Sequence, residues 1–191
     1  PERSSAASDV YKRQALLELN LEILNELKSK NTNVCSISPK ENNVINIIPE
    51  SKELGYVGKP KKINKEKILN FINNKQIPIV VPLGLGDDGR IYNINADVAA
   101  GSIAKEIDAR RLLLMTDVEG VLDENQKLIS EINLNKANEM LKNNIISGGM
   151  IPKINTCLDA ISNGVRGVVI VDGRKPHSIL FELFSDKGAG T

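Results

Sequence analysis

From residue 77 onward, short apolar runs alternate with longer segments of helical period, and this alternation narrows the fold more than any other feature. The runs 77–83, 111–116 and 167–171 have strand length, while 95–107, 135–143, 153–162 and 177–184 space their apolar residues as helices do. Apolar strands separated by helices predict an α/β fold, a three-layer sandwich around a mostly parallel sheet covered on both faces. In such sheets ligands bind beyond the carboxyl ends of the strands. That rule points to residues 84–89, 117–123, 172–174 and the segment just before Lys153.

The first third of the chain reads differently. Residues 15–28 form a helix with Leu17, Leu21 and Leu24 on one stripe and Leu16, Ile23 and Leu27 beside it. Two short strands, 34–37 and 44–48, flank the turn-rich Pro39-Lys40-Glu41-Asn42-Asn43 and read as a hairpin. A short amphipathic helix follows at 65–73. Residues 1–14 are polar, lack a hydrophobic period and join the helix abruptly, so they are expected to be non-native or disordered and are set outside the fold. The expected domains are then 15–76, the remnant of an amino-terminal lobe, and 77–191, a carboxyl-terminal lobe.

Composition excludes several classes. Twenty-five basic against twenty-four acidic residues leave a net charge of +1, which gives no general attraction to nucleic acid or to an anionic membrane. No apolar stretch approaches the roughly 20 residues that span a bilayer. The two cysteines, Cys35 and Cys157, fit neither a metal-ligand spacing nor a disulfide framework, and free thiols suit a reducing, cytoplasmic setting. The single histidine, His177, reads as a capping or packing residue and supplies neither a histidine metal site nor a hydrolase triad.

Four motifs carry the chemistry. Gly84-Leu85-Gly86-Asp87-Asp88-Gly89 has dinucleotide-fingerprint spacing, but two carboxylates would face the pyrophosphate and no helix opens directly after it; a tight exposed turn is favoured. Asn93-Ile94-Asn95-Ala96-Asp97 opens a helix with more polar side chains than one cap requires, and such amides can donate to a substrate carboxylate or carbonyl. Thr116-Asp117-Val118-Glu119-Gly120-Val121-Leu122-Asp123 follows a strand and reads as an acidic loop or a nucleotide edge. In Ser147-Gly148-Gly149-Met150-Ile151-Pro152-Lys153 the glycines permit close backbone approach, Pro152 suits a first helical turn, and Lys153 stands at a helix amino end that an anion would favour. A P-loop sequence is absent.

Four segments, Tyr92-Asn93-Ile94-Asn95-Ala96-Asp97, 114–123, 146–153 and Asp172-Gly173-Arg174-Lys175-Pro176-His177, resemble the acetylglutamate kinases, members of the amino acid kinase family, in order and spacing over residues 15–191. The resemblance implies transfer of the γ-phosphoryl of MgATP to the side-chain carboxylate of N-acetyl-L-glutamate, the second step of arginine biosynthesis, with magnesium held mainly by the phosphates and no protein metal ligands. It implies that Lys153 stabilises the transferring group and that Asp97 organises the catalytic lysines. Asn93 and Asn95 would contact substrate. Asp117, Val118, Glu119, Gly120, Val121, Leu122, Ile145, Ile146, Ser147 and Gly149 would line the ATP site. The helix 15–27 would match the family's dimer-interface helix, giving a homodimer or a hexamer of dimers.

The family's first-strand lysine, its glycine-rich loop, its Gly-Gly substrate clamp and a substrate-gripping arginine have no counterpart in residues 1–191, and Pro39 stands where the family usually has glycine. This chain alone is therefore expected to turn over poorly. The end of the chain resembles the arginine-inhibited branch, with Glu182 and Gly188 matching an L-arginine effector site. The alternatives are a family member acting on carbamate, aspartate, glutamate or aminoadipate, and a non-catalytic nucleotide- or arginine-binding regulator.

Overall fold

The computed structural model describes residues 6–51, 53–185 and 188–191. It divides into two compact units, one ending at Ile107 and the other beginning at Asp108, so the boundary expected at 76/77 falls inside the first unit. The reason lies in strand pairing: the apolar run that begins at residue 77 supplies strands to two sheets of the first unit.

In that unit, α1 (Ala6–Ser29) starts nine residues before the expected position, taking in residues 6–14, because nothing in Ala6–Gln14 breaks a helix. The helix ends at Asn31, whose left-handed backbone (φ 58°) lets the Thr32 amide return to the Leu27 carbonyl at 3.0 Å. Buried Asn20 fixes the helix to two strands. It donates to the carbonyl of Ile79 and accepts from the hydroxyl of Ser36.

The expected hairpin between the first two strands does not form. β1 (Val34–Ile37) pairs in parallel with β4 (Ile77–Val80), whereas β2 (Ile45–Pro49) lies between antiparallel β3 (Gly58–Ile63) and parallel β5 (Leu83–Gly86). The carbonyl of Ile37 accepts from Val81, so β1 is committed to a partner other than β2. The run 77–83 is likewise two strands in different sheets. Its break falls at Pro82, which has no amide to donate, and Leu83 bonds back to Val81 at 2.7 Å. β6 (Ile91–Asn93) then folds back antiparallel on β5.

The core of this unit joins Ile37, Val44, Ile45, Ile47, Ile63, Ile68, Tyr92, Ile94 and Ala99. Ile68 comes from α2 (Lys65–Asn73), capped by Asn64, and Ala99 from α3 (Ala96–Glu106). Each fully buried isoleucine contributes about 2 kcal/mol.

The second unit is simpler. β7 (Leu112–Thr116) and β8 (Val168–Asp172) pair in parallel over their full length, ending together at Thr116 and Asp172. Between them the chain crosses over through α4 (Leu134–Lys142) and α5 (Met150–Ser162), and α6 (Ser178–Phe184) follows β8. Ala137, Met140, Ile154, Cys157 and Ala160 are buried. The α/β class expected from the alternation is what the chain adopts. No helix among the described residues is long and apolar enough to cross a membrane.

Candidate functional site

In the second unit, the parallel pair β7–β8 delivers two loops at one edge. The turn after β8 is riveted to the end of β7, with the Gly173 amide donating to the Thr116 carbonyl at 2.7 Å. A Cβ on Gly173 would lie 3.2 Å from the Met115 methyl and 3.3 Å from that carbonyl, so the approach depends on glycine. Asp172, 1% exposed, accepts from the Arg174 guanidinium at 2.9 and 3.0 Å and from the Arg174 amide at 3.0 Å. Those guanidinium bonds hold its carboxyl at a pKa of about 2, well below the usual carboxylate range. Lys175 reaches Glu119 at 3.0 Å, tying this turn to the loop after β7.

That loop, 117–122, contains six of the sequence-selected nucleotide residues. Asp117, Val118 and Glu119 are exposed, whereas Gly120 and Val121 are buried and Leu122 partly so. The loop closes through Leu122 and Leu128, and Asp123 accepts from the amides of Asn125 and Lys127. Side chains at 117–119 and backbone at 120–122 are thus the groups it can offer a ligand.

Ile145, Ile146, Ser147 and Gly149 precede α5. Ile146 is buried, with its amide donating to the Met140 carbonyl, so its side chain has a packing role. Ser147 and Gly149 are exposed. Gly149 is the N-cap of α5 and supplies no side-chain cap bond; the Met150 and Ile151 amides turn back to the Ser147 and Gly148 carbonyls at 3.3 and 3.2 Å, and Pro152 has no amide to donate. Lys153, partly buried, is the fourth residue of that helix. The helix packs on β8 and is joined to its start by residues 163–167, so its amino end faces the strands' carboxyl ends. A positive helix end and an ammonium group form an arrangement that binds phosphate oxygens.

The first unit holds the other motif. Asn93 ends β6 and receives a backbone lock from the Tyr56 carbonyl at 2.8 Å; its side-chain Oδ1 is buried without a hydrogen-bond partner. Asn95 is the N-cap of α3, accepting from the amides of Asp97 at 3.0 Å and Val98 at 3.2 Å. Asp97, partly buried, lies in the first turn, where a carboxylate suits the helix dipole. Of the glycine-rich segment expected as a tight exposed turn, only 87–89 is one: Gly84 and Gly86 are buried in β5, whose backbone is committed to strand pairing, and the Gly89 amide returns to Gly86 at 3.0 Å. No helix opens there.

The remaining sequence candidates gather in a cleft of about 650 Å³ in the second unit. Glu182 of α6 and Gly188 both line it, beside Arg111, Ile154, Leu158 and Val169. One Glu182 oxygen accepts from the Ala189 amide at 2.9 Å, and the other stands 4.0 Å from the Arg111 guanidinium. Asp186 and Lys187, in the stretch resembling the arginine-inhibited branch, lie outside the described residues. His177 caps α6 through its carbonyl, from a left-handed backbone (φ 61°), and its side chain makes no cap bond.

The sequence reading missed Thr191, whose hydroxyl meets the 117–122 loop at Val121. No local pattern marks it, because its partner is 70 residues away.

Comparison with known proteins bears on these sites. A sequence model of the amino acid kinase family matches residues 2–172. An acetylglutamate kinase of Pelagibacter ubique (strain HTCC1062) is 55% identical over 176 residues, covering 92% of this chain and 61% of the relative. One from Clostridioides difficile (strain 630) is 44% identical over 91% of this chain and 62% of its own length. The chain spans about three fifths of the length of these curated relatives. The crystal structure of smu.665 from Streptococcus mutans UA159 superposes with a TM-score of 0.80 at 32% identity, covering 90% of this chain and 69% of that one.

Proposed function

The chain belongs to the amino acid kinase family, and on that premise we propose that it serves ATP-dependent phosphorylation of the side-chain carboxylate of N-acetyl-L-glutamate. The observation that carries this reading is the place of Lys153 in the first turn of α5, beside a family likeness of 55% identity to an acetylglutamate kinase.

In this reading, phosphoryl transfer asks the protein for positioning and charge stabilisation rather than covalent chemistry. Lys153, at the positive end of the α5 dipole, stabilises the charge that develops on the transferring group. Asp117, Val118, Glu119, Gly120, Val121 and Leu122 hold the nucleotide at the β7 edge, and Ile145, Ile146, Ser147 and Gly149 border it through backbone groups and the Ser147 hydroxyl. Asn93 and Asn95 contact the acceptor, and Asp97 is the second catalytic residue. The buried, unpartnered Oδ1 of Asn93 supports a role in binding, because such an acceptor costs about 1–3 kcal/mol when left unmade.

The nucleotide brings magnesium on its phosphates. Delivery on the phosphates asks for no cage of protein carboxylates, and Asp172 is committed to Arg174. Magnesium keeps most of its waters when it is held by substrate phosphates.

A second site is supported by the cleft that brings Glu182 and Gly188 together, where one Glu182 oxygen already stands 4.0 Å from a guanidinium, that of Arg111, and suits a group of that chemistry. We assign L-arginine to it as an effector. Assembly as a homodimer or a hexamer of dimers is part of the same proposal, with the apolar residues Leu19, Leu21 and Ile23 of α1 exposed for a partner.

An acceptor panel tests the reading. The intact protein, given MgATP, is expected to release ADP with N-acetyl-L-glutamate and far less with carbamate, aspartate, glutamate or aminoadipate. A preference for any of the latter contradicts the substrate assignment, and no ADP with any acceptor favours the non-catalytic regulator.

A further inference from the structure

We propose that Thr191 is a positioning residue for the nucleotide, acting through the loop 117–122. Its hydroxyl accepts from the Val121 amide at 3.0 Å and donates to the Ile129 carbonyl at 2.7 Å, spending both capacities of one group on the two sides of a single loop. Ile129 in turn donates its amide to the Val121 carbonyl at 2.9 Å. Gly120 completes the contact. Its backbone sits at φ 143°, and a Cβ there would lie 2.6 Å from the Thr191 hydroxyl and 2.7 Å from Leu128.

The hydroxyl is itself held in place by the sheet. Thr191 pairs with Ile170 in both directions, donating its amide at 3.1 Å and accepting at 2.8 Å, in the middle of β8. Gly190 lies so close to the Ile170 carbonyl that no side chain fits between them. The loop that follows β7 therefore takes its shape from a residue 70 positions later that is bonded to the neighbouring strand.

Val121 is 2% exposed, so its amide has little access to water if the hydroxyl is removed. The loop must then shift to satisfy that amide, and the backbone groups offered to the nucleotide shift with it. The inference rests on the reading that 117–122 meets ATP.

The test compares Thr191→Val, which keeps the shape and removes the hydroxyl, with Thr191→Ser, which keeps the hydroxyl. In the intact protein, T191V is expected to raise KM for ATP roughly fivefold, with kcat and the KM for the acceptor near their starting values, and T191S is expected to restore it. Hydrogen exchange at Val121 is expected to quicken in T191V while amides of β7 and β8 are unchanged. An unaltered KM for ATP in T191V overturns the proposal, as does a T191S variant as impaired as T191V. If T191V does not fold, T191S with raised KM for ATP still overturns it, and T191S with a normal KM supports it. An unsubstituted protein that does not bind ATP overturns both this proposal and the loop assignment, which separates the two failures.

Discussion

The carboxylate of Asp172 and the guanidinium of Arg174 meet in a two-bond fork, at 2.9 and 3.0 Å, at the carboxyl end of β8. The acid is buried and the base largely exposed, so the pair shapes the turn from its inner side. Through Gly173 and Lys175 the same turn holds the end of β7 and Glu119 of the neighbouring loop.

This pair sets a pH dependence. Arg174 lowers the Asp172 pKa to about 2, against about 3.9 for an unfolded aspartate. The folded state therefore binds fewer protons than the unfolded one between these values. The pair's contribution to stability is complete above about pH 4 and is lost as pH falls through about 2. Thermal unfolding followed from pH 5 to pH 2 should show this loss in the unsubstituted protein. In Arg174→Met the slope over that window should be shallower, and identical slopes would contradict the assignment.

Asn95 has two roles that substitution can separate. As N-cap of α3 it accepts from two amides, and Asn95→Ala should cost about 1 kcal/mol in denaturant unfolding. Asn95→Ser keeps a capping oxygen and should unfold close to the parent protein. If Asn95 also contacts the acceptor, N95S raises the KM for N-acetyl-L-glutamate while leaving stability intact. Unchanged acceptor kinetics would leave it a cap alone.

Gly120 is the least replaceable residue of the loop. Gly120→Ala combines a backbone region that side chains avoid, costing about 1–3 kcal/mol, with overlap against Thr191 and Leu128. Lower stability together with weaker ATP binding is the expected result. For stability alone Gly149→Ala is the control, because a Cβ there meets no protein atom within 4 Å and the backbone is already helical.

Local patterns located most elements and misjudged their pairing. The helix at Lys65–Asn73 and the strand at Val34–Ile37 appear with the bounds that their periodicity indicates. Strand partners depend on distant chain, so two neighbouring strands that look like a hairpin enter different sheets. β3 was illegible because Gly58–Ile63 reads Gly-Lys-Pro-Lys-Lys-Ile, with no apolar alternation; it is an edge strand, where Pro60 and lysines are tolerated. Of the candidate site, the motifs at 93–97, 117–122 and 147–153 could be read because each lies on contiguous residues at the end of an element. The Thr191 contact and the burial of Ile146 could not, since both are set by tertiary packing.

The central claim is that Lys153, in the first turn of α5, stabilises phosphoryl transfer to the carboxylate of N-acetyl-L-glutamate. Hydroxylamine converts an acyl phosphate to a coloured hydroxamate, so the intact protein with MgATP and N-acetyl-L-glutamate is assayed beside Lys153→Ala. The account predicts hydroxamate that requires both substrates and falls about 100- to 1000-fold in K153A, with thermal stability retained. Equal hydroxamate from the two proteins, or none from the unsubstituted one, would contradict it.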